Sequence, residues 1–348
     1  MIRNILLALV LLATALIAFQ LANQRGKADS SPDLSQNSSS ANSLAGFTNT
    51  PGSARPNATT DSTSPSQFVS TAGPTSQPVT DGEFESGNAL LVSAAQTLNF
   101  ARPLEAALRY KIDLFGQQVA GPGFYVQAGQ GTGRWRMELQ GGAAPSEYLL
   151  THVNDGQYYF LTEQIGDSNQ VSFVDLNTVR DQLEFKNIAS SAPWMNIGGL
   201  PSMLKHLAEH FEFQEPQQTT LGELTVYKTV GQWSPQAIQQ MFQDIDGNYP
   251  TLHELPAHIP HAVQVVLGSH SDKFPLFPYR VTFFRIDESE TSDSEQPKLN
   301  PVVVMEFFDV KRLDSVDSHL FYVDSNEERS INLTTEYVRQ AKRVTHRK

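Results

Sequence analysis

A short motif offers the most specific chemistry in the chain. His206, Glu209 and His210 follow the pattern His-x-x-Glu-His. On a helix the two imidazoles lie one turn apart, so both could reach one Zn²⁺ ion, with the carboxylate as a general base. Such a site needs a third ligand from another element, and no residue in the sequence has the fitting spacing. The sequence therefore leaves His206 and His210 as weak metal candidates and predicts no metal site.

The same segment has an ordinary structural interpretation. Its apolar residues recur at helical spacing and form one stripe: Leu200, Leu204, Leu207 and Phe211. On this interpretation the two histidines flank the stripe and Glu209 points away from it, as on any amphipathic helix.

Other patterns that carry chemistry are incomplete. Further histidines, His253, His258, His261 and His270, cluster in a proline-rich stretch, but such loops also arise without a metal. Residues 244–248 are similar to a calcium loop, yet their Gly stands too early for an EF-hand. The Gly-x-Ser-x-Gly elbow of a serine nucleophile does not occur. We therefore predict that the protein is not an enzyme and needs no cofactor.

Composition excludes further classes of function. The chain has 0 Cys, which excludes disulfides, thiolate metal sites and the lipid-modified cysteine of a bacterial lipoprotein. The formal net charge is −12, and no Lys/Arg block interrupts the acidic balance. This charge pattern argues against nucleic acid as a partner.

Aromatic residues suggest a binding role. The chain contains 20 Phe, 10 Tyr and 3 Trp, and aromatic side chains on the inner face of a curved sheet suit an apolar ligand. A packed aromatic core without a cavity explains the same composition. The candidate ligand-binding residues are Tyr110, Trp135, Arg136, Met137, Leu139, Tyr158 and Phe283.

A sheet must position these residues. Alternating apolar residues predict strands over residues 106–114, 124–126, 134–139, 148–153, 158–161 and 171–174. Gly121-Pro122-Gly123 is expected to be a turn, and Asn154-Asp155-Gly156 a hairpin turn. The short connections make this run an antiparallel meander.

The second half mixes helical and strand patterns. Helices are predicted over residues 91–98, 176–183 and 334–344, from just after Gly198-Gly199 to residue 211, and from Ser234-Pro235 to residue 242. Further strands are predicted over residues 224–230, 262–267, 279–286 and 302–310, with a polar insertion at 287–298. We therefore expect the α+β class, with one large antiparallel sheet of about nine or ten strands.

The order of these motifs resembles the outer-membrane lipoprotein carrier (LolA/LolB-like) fold. A helix leads into a strand, and the meander holds Arg134-Trp135-Arg136-Met137-Glu138 ahead of the Asp155-Gly156 hairpin. The resemblance covers mainly residues 88–185, and this chain is longer than a carrier. It implies a half-open barrel, a curved sheet covered by helices, with a lipid, acyl chain or lipoprotein as ligand. The resemblance also implies that Arg136 is a polar latch that hydrogen-bonds carbonyls of a lid helix.

The N-terminal residues predict location. Arg3 precedes a mostly apolar segment, residues 5–19, which is typical of a signal peptide or a single-pass anchor. We assign residues 1–22 to this signal peptide or membrane anchor, 23–86 to a disordered Ser/Thr/Pro-rich linker and 87–348 to the LolA-like domain. Either interpretation of residues 1–22 places the domain on the extracytoplasmic, periplasmic side of a membrane.

The sequence leaves two main functions open. One is a non-catalytic envelope protein that binds a lipid or acyl chain in an apolar cavity of the sheet. The other is a structural or interaction domain displayed on a tether. A metal-dependent hydrolase that uses His206 and His210 is a third alternative.

Limited proteolysis tests the predicted linker. We expect protease to remove residues 23–86 and leave a stable core that begins near residue 85, because the segment buries too little apolar surface to offset its ordering entropy. Mass spectrometry of the fragments locates the boundary. A protected fragment that contains residues 40–70 would contradict the prediction.

Overall fold

The computed structural model describes most of the chain from Phe84 onward. The described ranges are 84–114, 117–142, 147–183, 194–241, 250–256, 259–286, 299–324 and 330–345. Residues 1–83, the calcium-like segment and the insertion at 287–298 lie outside them, as does His258. Within the described ranges, no helix combines the length and the apolar character needed to cross a membrane.

Strands dominate the described part of the chain. They are β1 (Leu104–Leu114), β2 (Gln117–Gln127), β3 (Trp135–Gly141), β4 (Tyr148–Asn154), β5 (Tyr158–Ile165), β6 (Ser168–Asp175), β7 (Phe211–Phe213), β8 (Gln217–Leu221), β9 (Leu224–Trp233), β10 (Ala262–Gly268), β11 (Pro278–Ile286), β12 (Leu299–Arg312) and β13 (Ile331–Asn332).

Helices lie between and after the strands. They are α1 (Gly87–Phe100), α2 (Leu176–Gln182), α3 (Trp194–His210), α4 (Pro235–Met241) and α5 (Thr334–Thr345), with short 3₁₀ helices at Leu252–Glu254 and Ser318–Phe321.

The strands form a single large sheet. Twelve of its 13 strands follow the order β13-β6-β5-β4-β3-β2-β1-β12-β11-β10-β9-β7, and β8 pairs with β9 outside this path. Pairing is antiparallel except for β13, which lies parallel to β6. The end strands of this path do not pair in the described residues, so the sheet is open. The predicted antiparallel meander is confirmed, whereas the short strands β7, β8 and β13 were not predicted.

Strand β1 shows how residue alternation orients the sheet. Its burial alternates along the strand, and Leu108, Tyr110 and Ile112 point into the main core. The intervening Arg109 lies on the other face, where its guanidinium pairs with Glu306 at 2.6 Å. The predicted inner and outer faces of this strand are therefore confirmed.

The predicted turn at Gly121-Pro122-Gly123 is wrong. These residues lie inside β2 and pair with Tyr110, Arg109 and Leu108 of β1. Gly121 is needed because a Cβ there would lie 1.8 Å from the Gln140 carbonyl oxygen. The glycines therefore permit close backbone approach within the sheet and do not end the strand.

The outer face of the meander carries a second, smaller core. Residues 313–323, which follow β12, cross this face and bury Phe321 against a cluster that includes Val126, Val153 and Phe160. The Arg134 guanidinium lies 5.4 Å from the centre of the Phe321 ring. Both faces of the meander are thus covered, the inner one by helices and the outer one by this segment.

Adjacent substitutions in β1 test the assignment of faces. Leu108 is 0% exposed, so Leu108→Ala should lower the free energy of unfolding by about 2–5 kcal/mol through lost contacts and a cavity. Arg109→Ala should cost about 1 kcal/mol or less, because the Arg109 side chain is exposed and Arg280 still pairs with Glu306 in the variant. Urea unfolding of both variants measures the difference. Equal losses would show that the two faces are assigned incorrectly.

Candidate ligand-binding site beneath the kinked helix

The structure distributes the predicted ligand-binding residues over both faces of the sheet. The residues on the inner face, in the main core, are Tyr110, Trp135, Met137, Leu139 and Phe283. Arg136 and Tyr158 lie on the outer face. The predicted set therefore does not form one continuous surface.

Tyr158 was assigned to the wrong face. It belongs to the outer core, where it contacts Phe160 and Phe173. The β4–β5 pairing places Tyr159 opposite Asn154, and Tyr159 joins the inner core instead. Two adjacent tyrosines begin β5, and only the hairpin register decides which of them faces inward.

Arg136 does not reach the helices that cover the inner face. Its Nη1 donates to the Leu320 carbonyl at 3.1 Å, and its Nε donates to Glu138 Oε1 at 2.6 Å. Leu320 belongs to the 3₁₀ helix Ser318–Phe321 on the outer face. The guanidinium thus bonds a helical carbonyl, but it anchors the outer segment and leaves the helices over the inner face untouched.

A sharp break divides helix α3 above the inner face. Gly199 has φ 61° and ψ −154°, outside the helical region. A Cβ at this position would lie 3.0 Å from Trp135 Cγ, so the residue must be small as well as left-handed. Pro201 follows in the first turn of the second segment, where its missing N–H costs no helical hydrogen bond. The helix was predicted to begin after Gly198-Gly199. It begins instead at Trp194, and Gly199 interrupts it.

Two side chains of the sheet bind the carbonyl group next to this break. Trp135 Nε1 donates to the Ile197 carbonyl oxygen at 3.0 Å, and Asn154 Nδ2 donates to the same oxygen. These strand residues lie directly opposite each other in the β3–β4 ladder. Since the break interrupts the helical hydrogen-bond ladder, the sheet supplies the partners that the helix lacks. We call this arrangement the Ile197 latch.

A second polar pair ties the sheet to helix α1. Tyr125 donates to Gln127 Oε1 at 2.9 Å, and Gln127 Nε2 donates to the Leu98 carbonyl at 2.9 Å. Burial raises the pKa of Tyr125, and a hydrogen bond with the backbone of Leu200 opposes this shift. Tyr125 therefore connects both covering helices to strand β2.

A buried His–Tyr pair lies beside Trp135. His152 Nδ1 is 2.5 Å from the Tyr159 hydroxyl, and the Trp135 ring stacks on His152 with 6.4 Å between centroids. Burial lowers the pKa of His152 to about 4. Burial raises the pKa of Tyr159, with a further contribution from Glu163. Both groups are therefore neutral near pH 7, and the hydrogen bond between them gives each buried group a partner.

Two small clefts lie on the inner face among the residues that the structure describes. One, of about 20 Å³, lies between α1, Trp135 and Gly198, and another, of about 10 Å³, lies between Trp135, Met203 and Phe307. Each has room for about one water molecule. A larger cleft of about 500 Å³ lies at the far end of β3, beside Gln140 and Tyr148. None of the seven predicted residues is among the described residues that line it.

Tyr110 lies close to this larger cleft. Its hydroxyl donates to the Gln140 carbonyl at 2.8 Å and hydrogen-bonds with the hydroxyl of Tyr148. Burial is the main cause that raises the pKa of Tyr110, and the hydrogen bond with Tyr148 raises it further. Tyr110 thus binds, from within the core, two residues that line the cleft.

The two motif histidines lie at the C-terminal end of α3. His206 and His210 are 3% and 7% exposed, so they lie within the buried part of the helix surface and do not merely flank it. Their Nε2 atoms are 3.1 Å apart. Glu209 lies at the surface, away from the apolar stripe as predicted, and its Oε2 lies 3.9 Å from His206 Nδ1.

Several residues on the inner face of the sheet were not predicted from the sequence. They are Tyr125, Gln127, His152, Asn154 and Tyr159. The inward alternation from Trp135, continued across the Asn154-Asp155-Gly156 hairpin, could have identified Asn154, His152 and Tyr159. The hydrogen bonds of Gln127 and Asn154 to helix carbonyls, and the one between His152 and Tyr159, depend on tertiary packing and leave no pattern in the sequence.

Comparison with known proteins gives structural neighbours only. No family model matches the chain, and no curated protein matches by sequence. One solved structure that is similar is a conserved protein from Thermus thermophilus, with 9% identity and a TM-score of 0.35, covering 69% of this chain and 96% of that chain. The MucA/MucB complex of Pseudomonas aeruginosa has 8% identity and a TM-score of 0.34, covering 67% of this chain and 59% of that chain.

The neighbours also include the superfamily that the sequence motifs resemble. A LolA superfamily protein from Nitrosomonas europaea has 10% identity and a TM-score of 0.27, covering 67% of this chain and 96% of that chain. Similarities at this level concern the fold alone.

The pKa of His152 predicts how stability depends on pH. Its folded pKa is about 4, below the unfolded value of about 6.5. The unfolded chain therefore binds more protons between these values, and the free energy of unfolding should fall as pH drops through this window. The loss from this residue should approach about 3 kcal/mol near pH 4.

Urea unfolding at pH 7.5 and pH 4.5 measures this effect. The variant His152→Gln should show a smaller loss between the two pH values than the wild type, because other titrating groups contribute equally to both. If the two proteins lose the same stability, His152 is not buried in its neutral form.

Proposed function

We propose that this chain is a non-catalytic envelope protein that binds a lipid or acyl chain between the sheet and helix α3. The observation that carries the proposal is the Ile197 latch, which holds a broken helix over an apolar surface by two hydrogen bonds to one carbonyl. The cleft between them is lined by Met137 and Met305 of the sheet and by Met203 of α3 itself. Methionine side chains are unbranched and adaptable, which suits a surface that must repack around a ligand.

The latch is weak enough for a ligand to open. A typical intramolecular hydrogen bond contributes about 0.5–1.5 kcal/mol net, so the two bonds together hold the first segment of α3 by about 1–3 kcal/mol. An equilibrium of this size keeps the open form as a minor population. A ligand that binds only the open form shifts the equilibrium toward it.

Opening is required because the closed form leaves too little room. The clefts of about 20 Å³ and 10 Å³ under α3 are far smaller than the roughly 300–1,000 Å³ of usual small-molecule sites. The structure therefore represents the closed state in this proposal. Gly199 is the hinge, because it already adopts a backbone conformation outside the helical region.

The chemistry of the inner face supports binding over catalysis. His152 and Tyr159, titratable groups next to Trp135, hydrogen-bond to each other at 2.5 Å. Burial keeps both neutral near pH 7. In this role they orient the wall of the site and do not transfer protons to a substrate.

A second function is favoured by the tight packing of the same surface. Clefts the size of a water molecule are what a filled core contains. On this alternative the chain is a structural or interaction domain, and the Ile197 latch only stabilises α3. The two functions differ in whether an apolar ligand can enter.

The proposal also gives the predicted N-terminal segments a role. Residues 1–22 would direct the chain to the membrane or hold it there, and residues 23–86 would be the tether. The domain would then meet lipid or a lipoprotein on the periplasmic side. Neither segment is needed for the binding chemistry of α3.

A pair of tryptophan variants tests the latch. Trp135→Phe removes one donor to Ile197 and keeps an aromatic ring in place, so α3 should open more often. We expect a fluorescent fatty acid to bind the full chain about 2- to 12-fold more tightly, the equivalent of one net hydrogen bond. Fluorescence titration measures the dissociation constant.

Trp233→Phe is the matched control. Trp233 is also buried, and its Nε1 donates to the Pro260 carbonyl at 2.7 Å in the other half of the sheet. Both variants should lose similar stability, but only Trp135→Phe should change affinity. If the wild type neither binds the probe nor releases lipid in native mass spectrometry, the structural function replaces lipid binding.

A further inference from the structure

We propose that His206 and His210 bind a first-row divalent transition metal ion, with Zn²⁺ as the test ion, at the C-terminal end of α3. The site is separate from the Ile197 latch and does not depend on lipid binding. Its core is a pair of buried imidazoles whose Nε2 atoms lie 3.1 Å apart.

The distance between these nitrogens fits two ligands of one ion. Zn–N bonds of about 2.0–2.1 Å in tetrahedral geometry place two ligand nitrogens about 3.3 Å apart. The observed 3.1 Å between His206 Nε2 and His210 Nε2 needs only a small adjustment. The two residues are one helical turn apart, which is the spacing of paired zinc ligands on a helix.

Glu209 lies beside the His206 ring, with its Oε2 3.9 Å from His206 Nδ1. A metal-bound histidine usually donates its other ring N–H to a carboxylate or a backbone carbonyl. A small movement of Glu209 would let it accept the Nδ1–H of His206, which leaves the Nε2 lone pair of that ring for the ion.

The carboxylate of this cluster lies at the surface. Glu209 is at the surface, whereas His206 and His210 are buried beneath it. Ligand atoms of the three residues lie within 4.8 Å of one another. Water from the side of Glu209 would complete the coordination. Imidazole ligands select Zn²⁺, Cu²⁺ or Ni²⁺ over Mg²⁺ and Ca²⁺.

The ion would fix the end of helix α3. The His210 carbonyl already accepts a hydrogen bond from Ser234 N at 2.9 Å, just before α4. Strand β7 begins directly at Phe211. A metal between the two histidines would hold this last turn rigid while the opposite end of the helix moves.

The competing explanation is a simple hydrogen bond between the two imidazoles. One ring would then donate its Nε2–H to the other, and no ion would be needed. In a metal site both Nε2 atoms are bound to the ion, whereas in the hydrogen bond one of them carries a proton. The two explanations can therefore be distinguished in the wild-type protein.

Metal binding is measured on the full chain after treatment with a chelator. We expect isothermal titration with ZnCl₂ to show saturable binding of about one ion per chain, which MgCl₂ does not reproduce. Histidine ¹⁵N spectra of the wild type should show both Nε2 atoms metal-bound after Zn²⁺ is added. No saturable binding, or a persistent Nε2–H shared between the rings in the presence of Zn²⁺, would overturn the proposal.

Variants locate the site. His206→Gln and His210→Gln should abolish the saturable binding. Glu209→Gln should weaken it about 10-fold or more without lowering the melting temperature of the metal-free protein, as expected for a positioning residue. The control His270→Gln changes an exposed imidazole elsewhere and should bind as the wild type does.

The wild-type spectra and Glu209→Gln keep the test decisive if removal of a buried histidine unfolds the chain. Binding that survives His210→Gln in a folded protein would assign the ion to another site and overturn the proposal.

Discussion

The break in helix α3 at Gly199 is the constraint on which the inner face depends. A helix interrupted above a buried sheet leaves backbone groups that water cannot reach, and each needs a partner. Trp135 and Asn154 supply that partner for the Ile197 carbonyl. The break also forces Gly at position 199, because the Trp135 ring occupies the space that a Cβ would need. The break in α3, the glycine at position 199 and the strand residues Trp135 and Asn154 therefore depend on one another.

The two faces of the meander have different tasks because neighbouring residues of a strand point in opposite directions. On the inner face, polar side chains such as Gln127 and Asn154 are buried and bind helix carbonyls. On the outer face, Arg136 binds the Leu320 carbonyl and holds the segment that follows β12. On both faces, side-chain donors on strands thus bind backbone carbonyls of helical segments. These bonds fix the helical segments to the sheet without a ladder of backbone hydrogen bonds.

Helix α3 connects the two proposals because they concern its opposite ends. The Ile197 latch lies near its start, and the His206–His210 pair lies in its last turn. A mobile first segment is useful only if the rest of the helix stays in place. Packing against α1 provides one restraint, and the hydrogen bond from Ser234 N to the His210 carbonyl provides another. The helix is therefore anchored at one end and held by weak bonds at the other.

The sequence by itself determined most of the elements and their local faces. Alternation in β1 predicted its buried residues, and the Asn154-Asp155-Gly156 turn predicted the β4–β5 hairpin, because both signals are local in the chain. Tertiary structure decided what local signals could not. Only the register across the hairpin placed Tyr159 inward and Tyr158 outward, and only the tertiary packing of α3 buried His206 and His210. The Ile197 latch joins residues far apart in the chain, so its geometry exists only once the sheet and the helix have come together.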